Sequence, residues 1–162
     1  MNAARGPVVL LLALAAAACG GAQGGGAASG SSTMSAGERC LAAAEAKRER
    51  KASEPDRISV KHVLVRYAGA KRASESVTRT REQACLRAAE ALEKLKQGVA
   101  FSEVVAQYSE ESGAATRDGS MGTIERKDVA PEFADAAFEL HIREMSDVVE
   151  SPFGFHLILR TE

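Results

Sequence analysis

Tryptophan is absent from this chain, and five Phe and two Tyr are its only large rings. With aromatics at 4%, those few are expected where the structure is most demanding. An excess of one charge is missing as well. A formal net charge of -1 excludes the global basic field that draws proteins to nucleic acid or membrane surfaces, so any cationic feature must be local. Internal repeats are absent. No apolar run is long enough to cross a bilayer: the longest, VVLLLALAAAA, extends from Val8 to Ala18 and stops at Cys19.

That short run, behind Arg5 and ending in small residues, reads as a signal peptide over residues 1–18. Cys19 directly after it resembles the lipobox of bacterial lipoproteins. This implies an acylated Cys19, export to the cell envelope and membrane contact through the lipid alone, on the periplasmic side; a plain cleaved signal is the other reading. Residues 19–37 are Gly, Ala and Ser with little apolar bulk, a flexible tether. Residues 38–57 form a peripheral segment, helix-prone up to Lys51 and ended near Pro55. If Cys19 is acylated, Cys40 and Cys85 are left as an even pair. In an oxidising compartment they could form a disulfide, or stand as two unrelated thiols.

A folded domain is expected over residues 58–162. Ile58, Val60, His62, Leu64 and Arg66 share one face of a first strand, and Val63, Val65 and Tyr67 the other, as in a strand covered on both sides. The loop AGAKRASES follows. Thr80 and Gln83 have capping-box spacing, and Leu86, Ala88, Ala89, Leu92 and Leu95 predict a long helix stopped by Gly98. Phe101, Val104, Val105 and Tyr108 mark a second helix, and SEESGAATRDGS has room for one helical turn. MGTIE reads as a strand, and Pro131 opens a helix with Phe133, Ala137 and Phe138 inward. Two strands about a tight turn at Pro152–Gly154 complete the chain. The order predicts an α+β fold: a four-stranded, mostly antiparallel sheet flanked by about four helices, running strand, three helices, strand, helix, strand, strand.

In order and at compatible spacings, VKHVLVRY, FSEVVAQYSEESGA, GSMGTIER, APEFADAAFEL, EMSDVVESPFGFH and LILRTE resemble the parvulin family of peptidyl-prolyl cis/trans isomerases. ILRTE, the TRT before the long helix and the set Arg66, Lys71 and Arg72 are most similar to the phosphoserine/threonine-proline-directed parvulin of eukaryotes. The resemblance implies an isomerase without cofactor or metal, acting on X–Pro bonds of unfolded or extended polypeptides, here exported ones. It implies a proline pocket of Met121, Val129 and Phe133, with Phe153 capping it. His62 and His156 would form a paired imidazole network that orients the site. Glu111 stands where the family has an acidic residue or a cysteine, and Thr123 would join this polar shell. Arg66, Lys71 and Arg72 would receive a phosphate or carboxylate preceding proline.

Each residue also has a plainer reading. The three pocket residues could be ordinary core, each histidine a satisfied strand residue, Glu110 and Glu111 a solvated acidic pair, and the cations a solvated loop. The alternative function is a chaperone of the same fold that binds unfolded chains without catalysis. Nucleic acid is not an expected partner, and the chain is expected to work as a monomer.

Overall fold

The computed structural model describes residues 33–162. The expected signal peptide, Cys19 and most of the tether lie outside the described residues. Strands β1 (Arg57–Val65), β2 (Ser120–Glu125), β3 (Val149–Ser151) and β4 (Gly154–Arg160) form one antiparallel sheet in the order β2-β1-β4-β3. Helices α1 (Ala36–Ala44), α2 (Arg81–Lys96), α3 (Phe101–Tyr108) and α4 (Pro131–Glu139) surround it, with 3-10 turns at Ala115–Arg117 and Arg126–Asp128. This is the predicted α+β arrangement, the first 3-10 turn being the third helical piece between β1 and β2.

Strand alternation divides the core into two layers. Val63, Val65, Phe155 and Leu157 pack against Ala84, Ala88, Val104 and Tyr108 of α2 and α3. Ile58, Val60 and Ile158 pack on the opposite face against Phe133, Ala137 and Phe138 of α4. The Thr80–Gln83 capping box forms at the start of α2, and Pro131 occupies the first turn of α4, where its missing N–H is not needed. The buried stripe of α2 is Ala84, Cys85, Ala88, Ala91 and Leu92, and the predicted Leu86 is exposed. Small residues let the helix lie close on the sheet, and a bond from Cys85 to Cys40 turns that flank inward.

Cys40 and Cys85 form a disulfide with a Cα separation of 6.0 Å, stapling α1 to α2. Helix α1 begins earlier than expected, where Ser35 and Glu38 close a capping box, and it ends at Ala44 rather than near Lys51. Past Ala44 the sequence AKRERK has no apolar face to bury, and an isolated helix that short is unstable. Its charges instead grip the domain. Arg48 pairs with Glu139 at 2.7 Å, and Glu54 pairs with Arg126 at 2.6 Å. Among the described residues no helix is long and apolar enough to cross a membrane.

Candidate active site

β1 and β4 pair so that His62 lies opposite Ile158 and Leu64 opposite His156. The two histidines are therefore diagonal neighbours on the α4 face. Their rings lie 14° from parallel with centroids 5.6 Å apart, and the ring of Phe133 meets both edge-on at 5.7 and 5.1 Å. His62 Nδ1 lies 3.3 Å from His156 Nδ1, and His62 Nε2 lies 2.7 Å from Glu111 Oε2. At the other end, Ser151 Oγ lies 2.7 Å from His156 Nε2.

These contacts dictate the protons. The Glu111 carboxylate only accepts, so His62 Nε2–H donates to it and a neutral His62 presents a bare Nδ1. That nitrogen accepts from His156 Nδ1–H, leaving His156 Nε2 to accept from the Ser151 hydroxyl. The Ser151 oxygen in turn accepts from the N–H of Phe153 at 3.1 Å. Every polar side-chain atom of this Ser151–His156–His62–Glu111 relay that is buried has a partner with both imidazoles neutral. Burial, aided by the neighbouring His62 and Arg66, holds His156 well below the ordinary histidine range. The hydrogen bond from His62 holds the Glu111 carboxyl below its usual range, and Arg117 Nη2, donating to the same oxygen at 2.7 Å, adds to the effect.

Backbone geometry seats this chain. His62 N–H donates to the carbonyl of Gly119 at 2.9 Å. Gly119 adopts φ +72°, and a Cβ there would come within 2.5 Å of the His62 carbonyl oxygen, so the close approach requires glycine. Glu110 N–H donates to the Leu64 carbonyl at 2.8 Å, which turns Glu111 toward His62. Glu110 itself accepts from Arg66 N–H at 2.7 Å and Arg79 Nη1 at 2.6 Å, so the two acids have separate partners and are not a solvated pair.

A pocket of about 170 Å³ opens over the imidazoles. The structure brings Met121, Val129, Phe133 and Phe153 into its lining with His62, Glu111 and His156, and Arg66 and Arg72 line it too. Lys71 does not line it; its ammonium stacks on the Phe153 ring at 5.3 Å, beside the guanidinium of Arg72 at 5.6 Å.

Thr123 is a correction. It lies opposite Ser59, with the hydroxyls 3.1 Å apart, on the exposed face away from the histidines. The cause is a bulge: Val60 pairs with Gly122 and Lys61 with Ser120, which leaves Met121 as an extra residue. The bulge turns Met121 toward the pocket and puts Thr123 out of phase with it. Ser151 and Arg117 were not foreseen, nor was Asp128, which also lines the pocket. For Ser151 the available signal was its strand parity with the inward Val149.

A family model matches residues 45–162, and it is that of the PPIC-type PPIASE domain. The chain belongs to this family. The PPIC-type match starts ahead of the expected boundary at Ile58. The peptidyl-prolyl cis-trans isomerase pin1 of Schizosaccharomyces pombe is 34% identical over 113 residues, covering 67% of this chain and 65% of that protein. The foldase protein PrsA of Halalkalibacterium halodurans is 40% identical over 75 residues, 46% of this chain and 22% of that one. Among solved structures, the peptidyl-prolyl isomerase ESS1 from Candida albicans superposes with a TM-score of 0.61 at 28% identity, over 66% of this chain and 63% of that one. This PPIC-type chain thus spans about two thirds of the length of the first two isomerases, or less, and about a fifth of the foldase.

Proposed function

We propose that this chain is a peptidyl-prolyl cis/trans isomerase acting on exported polypeptides. The observation that carries the reading is a ring-sized pocket, with an apolar wall of Met121, Val129 and Phe133, lying directly on the Ser151–His156–His62–Glu111 chain. Rotation about X–Pro meets a barrier of roughly 18–20 kcal/mol, and speeding it about 10⁵-fold needs about 7 kcal/mol of selective stabilisation of the twisted amide. No bond breaks. Met121, Val129 and Phe133 grip the pyrrolidine ring and exclude water, which disfavours the charge-separated planar amide. The neutral imidazoles hold the pocket floor and Glu111 in one orientation, and they need move no proton.

Arg66 and Arg72 at the mouth favour a carboxylate or phosphate before proline. Export, with Cys19 as the lipid-bearing residue, is supported by the short apolar run at Val8–Ala18 and by the Cys40–Cys85 disulfide, a bond of oxidising compartments. A protease-coupled assay on proline peptides tests the reading: turnover that Phe133→Ala abolishes supports it, and none in the parent chain refutes it. Similarity to a foldase supports a second reading, a chaperone without catalysis. Suppression of aggregation unaccompanied by peptide turnover would select it.

A further inference from the structure

A second and larger cavity, about 580 Å³, runs beside the pocket and has no part in the chemistry above. Its outer wall is the end of α1 and the segment after it, including Glu45, Ala46 and Lys47. Its inner wall is β3, with Tyr67 and Pro152. β3 is one of the two edge strands of the sheet. Within it Val149 packs toward α4, while the Glu150 carboxylate reaches back to Arg81 of α2. Side chains from opposite faces of the sheet therefore line one cavity, so the groove follows the sheet's open edge. Antiparallel alternation leaves every second residue of an edge strand with its N–H and C=O on that open side. Ser151 lines both the groove and the proline pocket, so the two cavities are neighbours that share a wall.

The pocket holds little more than one ring, so a polypeptide substrate must continue beyond it. Resting on the isomerase reading, we propose that the groove binds the segment of the substrate chain flanking proline, laid in extended form along β3. Main-chain hydrogen bonds to the edge strand would hold any sequence, and Tyr67, Val149 and Pro152 supply apolar contact. The outer wall is anchored at three points. They are the Cys40–Cys85 disulfide, the Arg48–Glu139 pair, and Arg81, which bonds both Glu45 and Glu150.

The test is fluorescence anisotropy of labelled proline peptides, one of about four residues and two of about twelve extended on either side of proline, run beside the turnover assay. One long peptide is expected to bind about tenfold tighter than the short one, through contacts remote from the reacting amide. N-methylation at alternate flanking residues should remove that gain. Ala46→Trp, which fills the groove from an exposed position, should erase the length advantage while leaving binding and turnover of the short peptide unchanged. Lys47→Trp is the equivalent change should the first variant not fold. No gain with length, an equal gain on both sides, or a gain that survives both tryptophans overturns the proposal. If no peptide is turned over, the isomerase reading fails, and the anisotropy result still decides the groove.

Discussion

Replacing Ser151 by Ala isolates the proton arrangement of the buried chain. Ser151 is 4% exposed, and its hydroxyl donates to His156 Nε2 at 2.7 Å and accepts from Phe153 N–H at 3.1 Å. Its loss strands a buried ring nitrogen. An orphaned buried acceptor costs about 1–3 kcal/mol, whereas the half-buried turn N–H of Phe153 recovers a water. A net loss of about 2 kcal/mol follows, which lowers the urea midpoint by about 1 M. Every proton arrangement of the variant then leaves one contact unmade, so none is strongly preferred: Nδ1–H on His156 leaves its Nε2 orphaned, and moving that proton to Nε2 carries its own cost. Two bare Nδ1 atoms would then face each other, and His62 could protonate its own Nδ1 only by withdrawing the bond from Glu111. Nitrogen-15 correlation spectra should therefore show Nδ1–H on His156 and Nε2–H on His62 in the parent, and mixed tautomers in the variant. Turnover should fall about tenfold as the pocket floor loses its fixed orientation. Ser146→Ala is the control: its buried hydroxyl accepts from Ile158 N–H at 3.0 Å, so it should cost similar stability without moving the tautomers or the turnover. Parent-like tautomers in Ser151→Ala would refute the proton assignment.

Other expectations follow from the same contacts. His156 is neutral and buried with its pKa lowered, so the unfolded chain binds more protons: stability is complete above about pH 6.5 and falls as the pH drops, by up to about 1.4 kcal/mol per unit. Denaturation between pH 7 and 5 should show this slope, and His156→Asn should flatten it; a slope unchanged in the variant would place the proton elsewhere. The Cys40–Cys85 bond closes a separation of 45 residues, and Cys40→Ala with Cys85→Ala should cost about 4 kcal/mol by chain entropy. A loss below about 1 kcal/mol would mean that α1 is held chiefly by its ion pairs. Arg66→Ala with Arg72→Ala should bring Glu-Pro and phosphoSer-Pro peptides down to the rate of Ala-Pro; equal rates for all three in the parent would remove the anion preference.

The sequence disclosed what depends on local rules. The alternation through β1 put His62 beside Leu64 on one face, the Thr80–Gln83 spacing gave the start of α2, and Pro131 opened α4, all without knowledge of partners. Features set by tertiary neighbours were hidden. Thr123 and Met121 share a parity in any ideal strand, and only the β1–β2 register, with its extra residue, separates them. The end of α1 depends on where apolar contact with α2 runs out, and the alanine-rich stripe of α2 is chosen by the closeness of the sheet rather than by the larger leucines. Ser151 acquires a role only once β3 and β4 fold back on each other and bring it beneath His156.

The histidines sit on β1 and β4, the two inner strands, each flanked by a strand on both sides and covered by helices above and below. Amide hydrogens there should be among the last to exchange with deuterated solvent, whereas those of α1, a nine-residue helix outside the sheet, should exchange far sooner. Partial openings that loosen the N-terminal helix would then leave the imidazole platform assembled. Such a domain could go on working through local unfolding of its N-terminal helix.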